Sequence, residues 1–164
     1  MERKGPLATS ALNADGLKEQ DQSGALRDPP NLKEFLILVA DDSLDNVLAL
    51  SLFLQGEGYK VVTASNGEEA VSIAARTQPN LILMDISMPL LDGLAATRKI
   101  REIVALRDVP VIAITAFSTE GFRRAAYDVG VAGYLVKPID FQRMHELVKR
   151  LLAPKGSGNL PTGI

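Results

Sequence analysis

Short apolar runs alternate with amphipathic segments along most of this chain. Five runs have strand length and are rich in aliphatic or β-branched residues, and they cover residues 35–40, 59–64, 81–84, 111–114 and 133–136. An apolar run without polar alternation is typical of a strand that is buried on both faces of a sheet. The pattern therefore predicts five short, largely buried strands.

Apolar residues recur at helical spacing after each strand. The first helix begins after the N-cap residue Ser43, and its predicted inward stripe consists of Leu44, Val47, Leu48, Ser51 and Leu52. The second helix is predicted over 68–76 and the third over 93–106, with Val104 facing inward. The fourth ends before Gly130 and has Phe122 facing inward, and the fifth begins at Asp140. In the last helix, His145 is predicted to have a surface role and no part in chemistry.

The alternation of strands and helices predicts an α/β fold. Such a chain forms a parallel five-stranded sheet with right-handed crossovers and helices on both faces. Residues 1–32 have no sustained apolar period and are predicted to be a disordered or loosely ordered tail. Residues 33–153 form the single predicted domain, and residues 154–164 a short C-terminal tail.

Composition and charge exclude several functional classes. A net charge of -2 and the lack of a Lys and Arg run give no electrostatic footprint for direct nucleic-acid binding. The absence of cysteine excludes disulfides and thiolate zinc sites. The apolar runs are too short to cross a membrane and no signal-peptide core follows Met1, so we expect a cytoplasmic protein without membrane contact.

Chemically active residues follow four of the predicted strands. Asp41 and Asp42 follow the first strand, Asp85 the third, Thr115 the fourth and Lys137 the fifth. Parallel strands place these ends on one rim, where open α/β sheets bind ligands. Two carboxylates in one cleft repel by roughly 3 to 4 kcal/mol at an effective dielectric of about 20, so the three acids need a counter-charge. Oxygen ligands without His or Cys suit Mg²⁺.

A carboxylate cluster with Mg²⁺, a hydroxyl and an ammonium is typical of a phosphoryl-transfer site. A carboxylate can also act as the nucleophile and form an aspartyl phosphate. Asp85 is the best candidate because it stands alone at the end of a central buried strand, whereas the adjacent Asp41 and Asp42 fit metal binding better. The alternative is that these aspartates only cap or turn the chain.

The motifs together resemble the receiver domain of two-component response regulators, over about residues 35–152. The resemblance rests on Asp41-Asp42, on Asp85 within residues 84–89, on Asp92-Gly93, on Thr115-Ala116 and on the run from Gly133 to Pro138. It implies a flavodoxin-like (βα)5 fold, doubly wound, with strand order 2-1-3-4-5. It also implies that Asp85 is phosphorylated by a phosphohistidine of a sensor histidine kinase or a histidine phosphotransfer protein.

The resemblance further implies a role for each site residue. Mg²⁺, with Mn²⁺ as a substitute, would be held by Asp42, Asp85 and the backbone carbonyl of Ser87, with Asp41 close by. Thr115 and Lys137 would contact the phosphoryl group, and Tyr134 would be the aromatic switch residue. Ser87 and Phe117 would tune the access of water to the acyl phosphate, so Phe117→Ala is expected to alter autodephosphorylation. The Lys137-Pro138 peptide would be cis.

The leading functional hypothesis is a stand-alone, phosphorylation-dependent switch that catalyses its own phosphoryl transfer and dephosphorylation. It would signal through an unknown downstream protein, with a homodimer through helix 4, strand 5 and helix 5 as a further option. One alternative is a Mg²⁺-dependent phosphohydrolase with an aspartyl-phosphate intermediate. That class commonly has a second acid two residues after the nucleophile, and the presence of Ser87 at this position argues against it. Another alternative is a phosphorylation-independent scaffold.

Overall fold

The computed structural model describes residues 31–154, so the predicted tails lie almost entirely outside the described residues. The strands are β1 Leu36–Ala40, β2 Lys60–Ala64, β3 Leu81–Asp85, β4 Val111–Thr115 and β5 Gly133–Val136. The helices are α1 Leu44–Gly56, α2 Gly67–Thr77, α3 Gly93–Glu102, α4 Glu120–Asp128 and α5 Phe141–Leu152. Short 3-10 helices occupy Leu32–Glu34 and Val104–Leu106. Across the described part of the chain, none of the helices has the length and apolarity needed to span a membrane.

The five strands form one parallel sheet in the order β2-β1-β3-β4-β5, which confirms the predicted flavodoxin-like topology. Successive strand residues point to opposite faces, and each face has its own apolar core. Leu38 and Ile82 pack on one face with side chains of α2, α3 and α4, whereas Ile37 and Leu83 pack on the other with side chains of α1 and α5. The two cores explain why the strands read as uninterrupted apolar runs.

The predicted inward stripe of α1 is wrong. Leu44, Leu48 and Leu52 are 84%, 58% and 61% exposed, while Leu50 and Leu54 are buried against the sheet. Helix α1 is apolar on nearly every side, so the helical period has more than one solution. Packing on β1 selects the face that carries Leu50 and Leu54.

Three other side-chain predictions are wrong. Val104 is 79% exposed because α3 ends at Glu102 and the chain continues as a separate 3-10 turn. Phe122 is 42% exposed and stacks on another ring instead of entering the core, because α4 is short and buries only Ala126. His145 is only 8% exposed and is therefore not a surface residue.

His145 lies on α5 and packs against the end of α1 and the residue before β2. Its Nδ1 atom is 3.4 Å from a carboxylate oxygen of Glu57, and its Nε2 atom is 3.4 Å from the Tyr59 hydroxyl. The Phe53 ring meets the imidazole edge-on with 5.8 Å between the ring centroids. Through these contacts, the imidazole of His145 packs α5 against α1.

Candidate functional site

Three carboxylates meet at the carboxyl edge of the sheet. One oxygen each from Asp41, Asp42 and Asp85 lies within 4.8 Å of the others. Asp41 and Asp85 are 2% and 3% exposed, whereas Asp42 faces solvent. Strands β1 and β3 are neighbours in register, with Ala40 opposite Met84, so the residues that follow are brought to the same point of the rim.

Asp41 is held by the beginning of α1. The Ser43 backbone N–H donates to Asp41 Oδ1 at 2.8 Å, and the Asn46 side-chain amide donates to both carboxylate oxygens at 3.3 and 3.1 Å. Sequence reasoning missed Asn46, although its place in the first turn after the Ser43 N-cap was a usable signal. These neutral donors fix the orientation of the Asp41 carboxylate and add no charge to the cleft.

Lys137 supplies the positive charge of the site. Its Nζ atom lies 3.1 Å from Asp41 Oδ2 and 3.4 Å from Asp85 Oδ2, so one ammonium bridges the two buried carboxylates. The Lys137 backbone N–H also donates to the Thr115 carbonyl at 2.8 Å, which ties the end of β5 to the end of β4. The peptide between Lys137 and Pro138 is cis.

Burial and neighbouring charges shift the pKa values of Asp85 and Lys137. Burial and the neighbouring Asp41 raise the pKa of Asp85, while Lys137 and the Ser87 backbone N–H at 3.3 Å oppose that rise. Burial acts to lower the pKa of Lys137, but its contacts with Asp41 and Asp85 outweigh this and raise it. The Lys137 ammonium therefore stays charged, whereas burial works against the ionised form of Asp85.

The glycine after Asp92 lets the next helix approach this strand closely. A Cβ atom on Gly93 would collide with the carbonyl group of Asp85 and with Ile86 Cα. The Gly93 N–H donates to the Ile86 carbonyl at 2.9 Å, and Asp92 caps α3 by accepting from the Leu94 and Ala95 N–H groups. The Asp92-Gly93 pair thus anchors α3 against the strand end that presents Asp85.

A second group of predicted residues comprises Thr115 and Phe117 at the end of β4 and Tyr134 within the neighbouring strand β5. The Phe117 N–H donates to Thr115 Oγ1 at 3.0 Å, and the Tyr134 hydroxyl donates to the Phe117 carbonyl at 2.7 Å. Tyr134 is buried at 6% exposure, and burial raises the pKa of its hydroxyl. The guanidinium carbon of Arg123 lies 5.5 Å from the centroid of the Tyr134 ring, a cation–π contact that sequence reasoning also missed.

The Phe117 ring stacks on Phe122 of α4, with 4.5 Å between centroids and 13° between planes. Its position is therefore set by α4 as well as by the backbone after β4. Ser87, the other predicted tuning residue, is joined to Asp85 through its backbone N–H. The structure thus brings the predicted residues Asp41, Asp42, Asp85, Ser87, Thr115, Phe117 and Lys137 to the carboxyl ends of β1, β3, β4 and β5, whereas Tyr134 lies within β5 opposite Ala113.

The donor set fits a hard divalent cation. Two buried carboxylates and one exposed carboxylate, with no His or Cys among the clustered ligand atoms, match the all-oxygen coordination that Mg²⁺ prefers. The repulsion among Asp41, Asp42 and Asp85 is offset only partly by Lys137, because its single ammonium contacts Asp41 and Asp85 while the cluster carries three carboxylates. These three side chains are the residues that could hold a metal ion.

Comparison with known proteins gives one consistent family. The family model described as the response regulator receiver domain matches residues 37–149. The Polar-differentiation response regulator DivK of Brucella anthropi is 38% identical over 111 residues, covering 66% of this chain and 90% of DivK. Response regulator PleD of Caulobacter vibrioides is 39% identical over 117 residues, and the matched region spans only 26% of PleD.

Solved structures of receiver domains are also similar to this chain. The receiver domain of the sensor histidine kinase PA1611 from Pseudomonas aeruginosa, solved with a magnesium ion coordinated in its active-site cleft, is 34% identical with a TM-score of 0.69. The match covers 73% of this chain and 98% of that domain. CheY of Borrelia burgdorferi, in a CheX-CheY-BeF3-Mg complex, is 26% identical with a TM-score of 0.69, and the match covers 87% of this chain and 96% of that one.

Proposed function

This chain belongs to the response regulator receiver domain family, and from that premise we propose that it is a signalling switch phosphorylated on Asp85. The observation that carries the proposal is the environment of Asp85. Its carboxylate is buried at the end of β3, is bridged by Lys137 to Asp41, and has Asp42 close by. A nucleophilic carboxylate is suited to phosphoryl transfer when a lysine and two further carboxylates that can bind a metal ion lie beside it.

In the proposed reaction, an Asp85 oxygen attacks the phosphorus of a phosphohistidine on a sensor histidine kinase or a histidine phosphotransfer protein. The new P–O bond forms as the P–N bond breaks, and the imidazole nitrogen takes the bonding pair and a proton from water. The attack requires ionised Asp85, and the Lys137 ammonium at 3.4 Å favours that form. Lys137 then balances the negative charge of the transferred group.

We further propose Mg²⁺ as the metal of this site, with Mn²⁺ as a substitute. Asp41, Asp42 and Asp85 would hold it, together with the backbone carbonyl of Ser87, and the bound cation would neutralise charge on the phosphoryl oxygens. The support is the clustering of the three carboxylates within 4.8 Å. The magnesium ion in the related PA1611 receiver domain supports the same assignment.

Thr115 and Tyr134 are proposed to pass the state of Asp85 to the protein surface. Thr115 would contact the phosphoryl group, and Tyr134 would follow its movement. The support is the hydrogen-bonded sequence from Thr115 through Phe117 to Tyr134. Signal output through a partner protein, or through a second copy on the α4, β5 and α5 face, would take place in the cytoplasm.

Incubation with acetyl phosphate and Mg²⁺, followed by intact-mass measurement, tests the proposal. We expect one added phosphoryl group on the wild-type chain and none on Asp85→Asn. Asp45→Asn serves as the matched control, because Asp45 is exposed on α1 near the site but outside the carboxylate cluster. A wild-type chain that gains no phosphoryl group contradicts the switch, and sustained hydrolysis of phosphate esters would instead identify a phosphohydrolase.

A further inference from the structure

A polar cleft lies over β5 between α4 and α5. It has a volume of about 430 Å³, and its charged lining residues are Arg123 of α4 with Arg143, Glu146 and Arg150 of α5. Three of these four side chains are cationic, in a chain whose formal net charge is -2. The cleft is therefore a local concentration of positive charge on a protein that is slightly acidic overall.

The arginines of this cleft are free to bind a ligand. Within residues 31–154, no hydrogen bond or ion pair involves the guanidinium group of Arg143 or Arg150. In the same range, the guanidinium of Arg123 lies over the ring of Tyr134 and forms no hydrogen bond or ion pair, which leaves its hydrogen-bond donors unused. Glu146 lies between Arg143 and Arg150 on α5 but forms no salt bridge with either in the described residues.

The spacing of the arginines fits more than one anionic group. Arg143 and Arg150 are two helical turns apart on the same face of α5, a separation of about 10 Å along the axis. Arg123 faces them from α4 across β5. Guanidinium groups recognise phosphate oxygens through paired, planar hydrogen bonds, so this arrangement can hold phosphates at separate points of one cleft.

We propose that this cleft binds a nucleotide that carries at least two phosphate groups. Arg143 and Arg150 bind the phosphates, and Arg123 contributes from the opposite wall. Tyr127, which lines the cleft and is 48% exposed, offers an aromatic face to the base. The cleft is distinct from the acidic rim, because none of its lining residues belongs to the carboxylate cluster or contacts Lys137.

A nucleotide fits this cleft better than a helix or strand with apolar anchor side chains does. A helix or strand that docks in a groove needs apolar pockets for its anchor side chains. Six of the ten lining residues are arginine, glutamate or tyrosine, and the two leucines, Leu135 and Leu147, are buried and half-buried. The volume also lies in the range of small-molecule sites, which is about 300 to 1,000 Å³.

Calorimetric titration of the full chain with ADP, inorganic pyrophosphate and adenosine tests the proposal. The buffer contains EDTA so that no metal-bridged binding at the acidic rim contributes. We expect ADP to bind more tightly than pyrophosphate and adenosine not to bind. Arg143→Gln combined with Arg150→Gln should weaken ADP binding by about tenfold or more, which corresponds to about 1.4 kcal/mol. Tyr127→Ala should weaken the binding of ADP but not that of pyrophosphate.

The matched control combines Arg76→Gln with Arg98→Gln, which removes two exposed arginines from α2 and α3. If ADP binding were weakened equally in this control, the loss in the Arg143 and Arg150 variant would reflect general electrostatics, and the proposal would be overturned. It would also be overturned by loss of ADP binding in Lys137→Met, by the absence of ADP binding, or by tighter binding of a glutamate-rich peptide at the same arginines. These outcomes are independent of whether Asp85 accepts a phosphoryl group.

Discussion

The Tyr134 hydroxyl donates a 2.7 Å hydrogen bond to the Phe117 carbonyl oxygen. The Phe117 N–H in turn donates to the Thr115 hydroxyl, so a single residue connects the end of β4 to the buried ring on β5. A shift of the Thr115 hydroxyl would therefore act on Phe117 first and on Tyr134 through it. The guanidinium of Arg123 lies over the face of the Tyr134 ring.

Tyr134→Phe is expected to lower the free energy of unfolding by about 1 kcal/mol, because it leaves the Phe117 carbonyl without its donor. Urea unfolding measures the loss. Tyr127→Phe is the matched control, since Tyr127 is 48% exposed and lies on the neighbouring helix α4. Equal free energies of unfolding for the Tyr134 variant and the wild type would mean that the hydrogen bond adds nothing to stability.

Asp85→Asn is expected to stabilise the fold at neutral pH and in the absence of divalent cations. Burial and Asp41 raise the pKa of Asp85, so the ionised carboxylate costs folding free energy that a neutral amide does not. As the pH falls through that raised pKa, the wild-type carboxyl takes up a proton and the advantage of asparagine shrinks. Urea unfolding at about pH 7 and about pH 4 measures both effects. A gain that does not decrease on acidification would contradict the assigned pKa direction.

Gly93→Ala is expected to destabilise the protein by about 1 to 3 kcal/mol, the usual cost of overpacking, because the new Cβ would collide with backbone atoms of Asp85 and Ile86. Gly121→Ala provides the control, since a Cβ there meets nothing within 4 Å. In helix α4 that change should stabilise by up to about 1 kcal/mol. Thermal unfolding of the two variants should shift the midpoint in opposite directions.

Arg101→Met is expected to cost at least about 2 kcal/mol of folding free energy. The Arg101 guanidinium donates to the carbonyl groups of Leu106 at 3.2 Å, Val109 at 2.8 Å and Gly130 at 2.8 Å, which joins α3 to the segments before β4 and β5. Removal of the guanidinium leaves two partly buried carbonyls, of Leu106 and Val109, and the exposed carbonyl of Gly130 without this donor. Arg98→Met on the exposed side of α3 should change urea unfolding by no more than about 0.5 kcal/mol.

Phe117→Ala is expected to shorten the lifetime of the phosphorylated form, because the truncated side chain leaves the space beside Thr115 more open to water. Phe122→Ala should produce a smaller change in the same direction, since it removes only the ring on which Phe117 stacks. Loss of the phosphoryl group is followed by intact mass after removal of acetyl phosphate. An unchanged lifetime in Phe117→Ala would reject a tuning role for this residue.

The sheet and its rim could be predicted from the sequence because their determinants are local. Each strand is a largely apolar run, and parallel pairing then brings the residues at the carboxyl ends of β1, β3 and β5 together without further information. Asp41, Asp85 and Lys137 meet for this reason. Their contacts required no knowledge of side-chain packing, only of strand direction.

The failures have equally physical causes. Helix α1 is apolar on several faces, and periodicity cannot distinguish the face with Leu48 from the face with Leu50. The burial of His145 depends on Tyr59, which is 86 residues away in the chain, and nothing near His145 in the sequence indicates that contact. Asn46 was missed because its partner Asp41 lies before the helix, outside the apolar pattern that defines α1.

The burial of His145 also provides a built-in reporter. It is the only histidine in the chain, so its imidazole C–H signals in a proton NMR spectrum need no assignment. Burial lowers the pKa of the imidazole, with Glu57 acting in the opposite direction, so its titration curve should lie to the acidic side of that of a free histidine. Movement of α5 away from Phe53 and Tyr59 would shift both the ring-current position of those signals and the midpoint of the curve. A single unlabelled sample can therefore record how firmly α1 and α5 are joined.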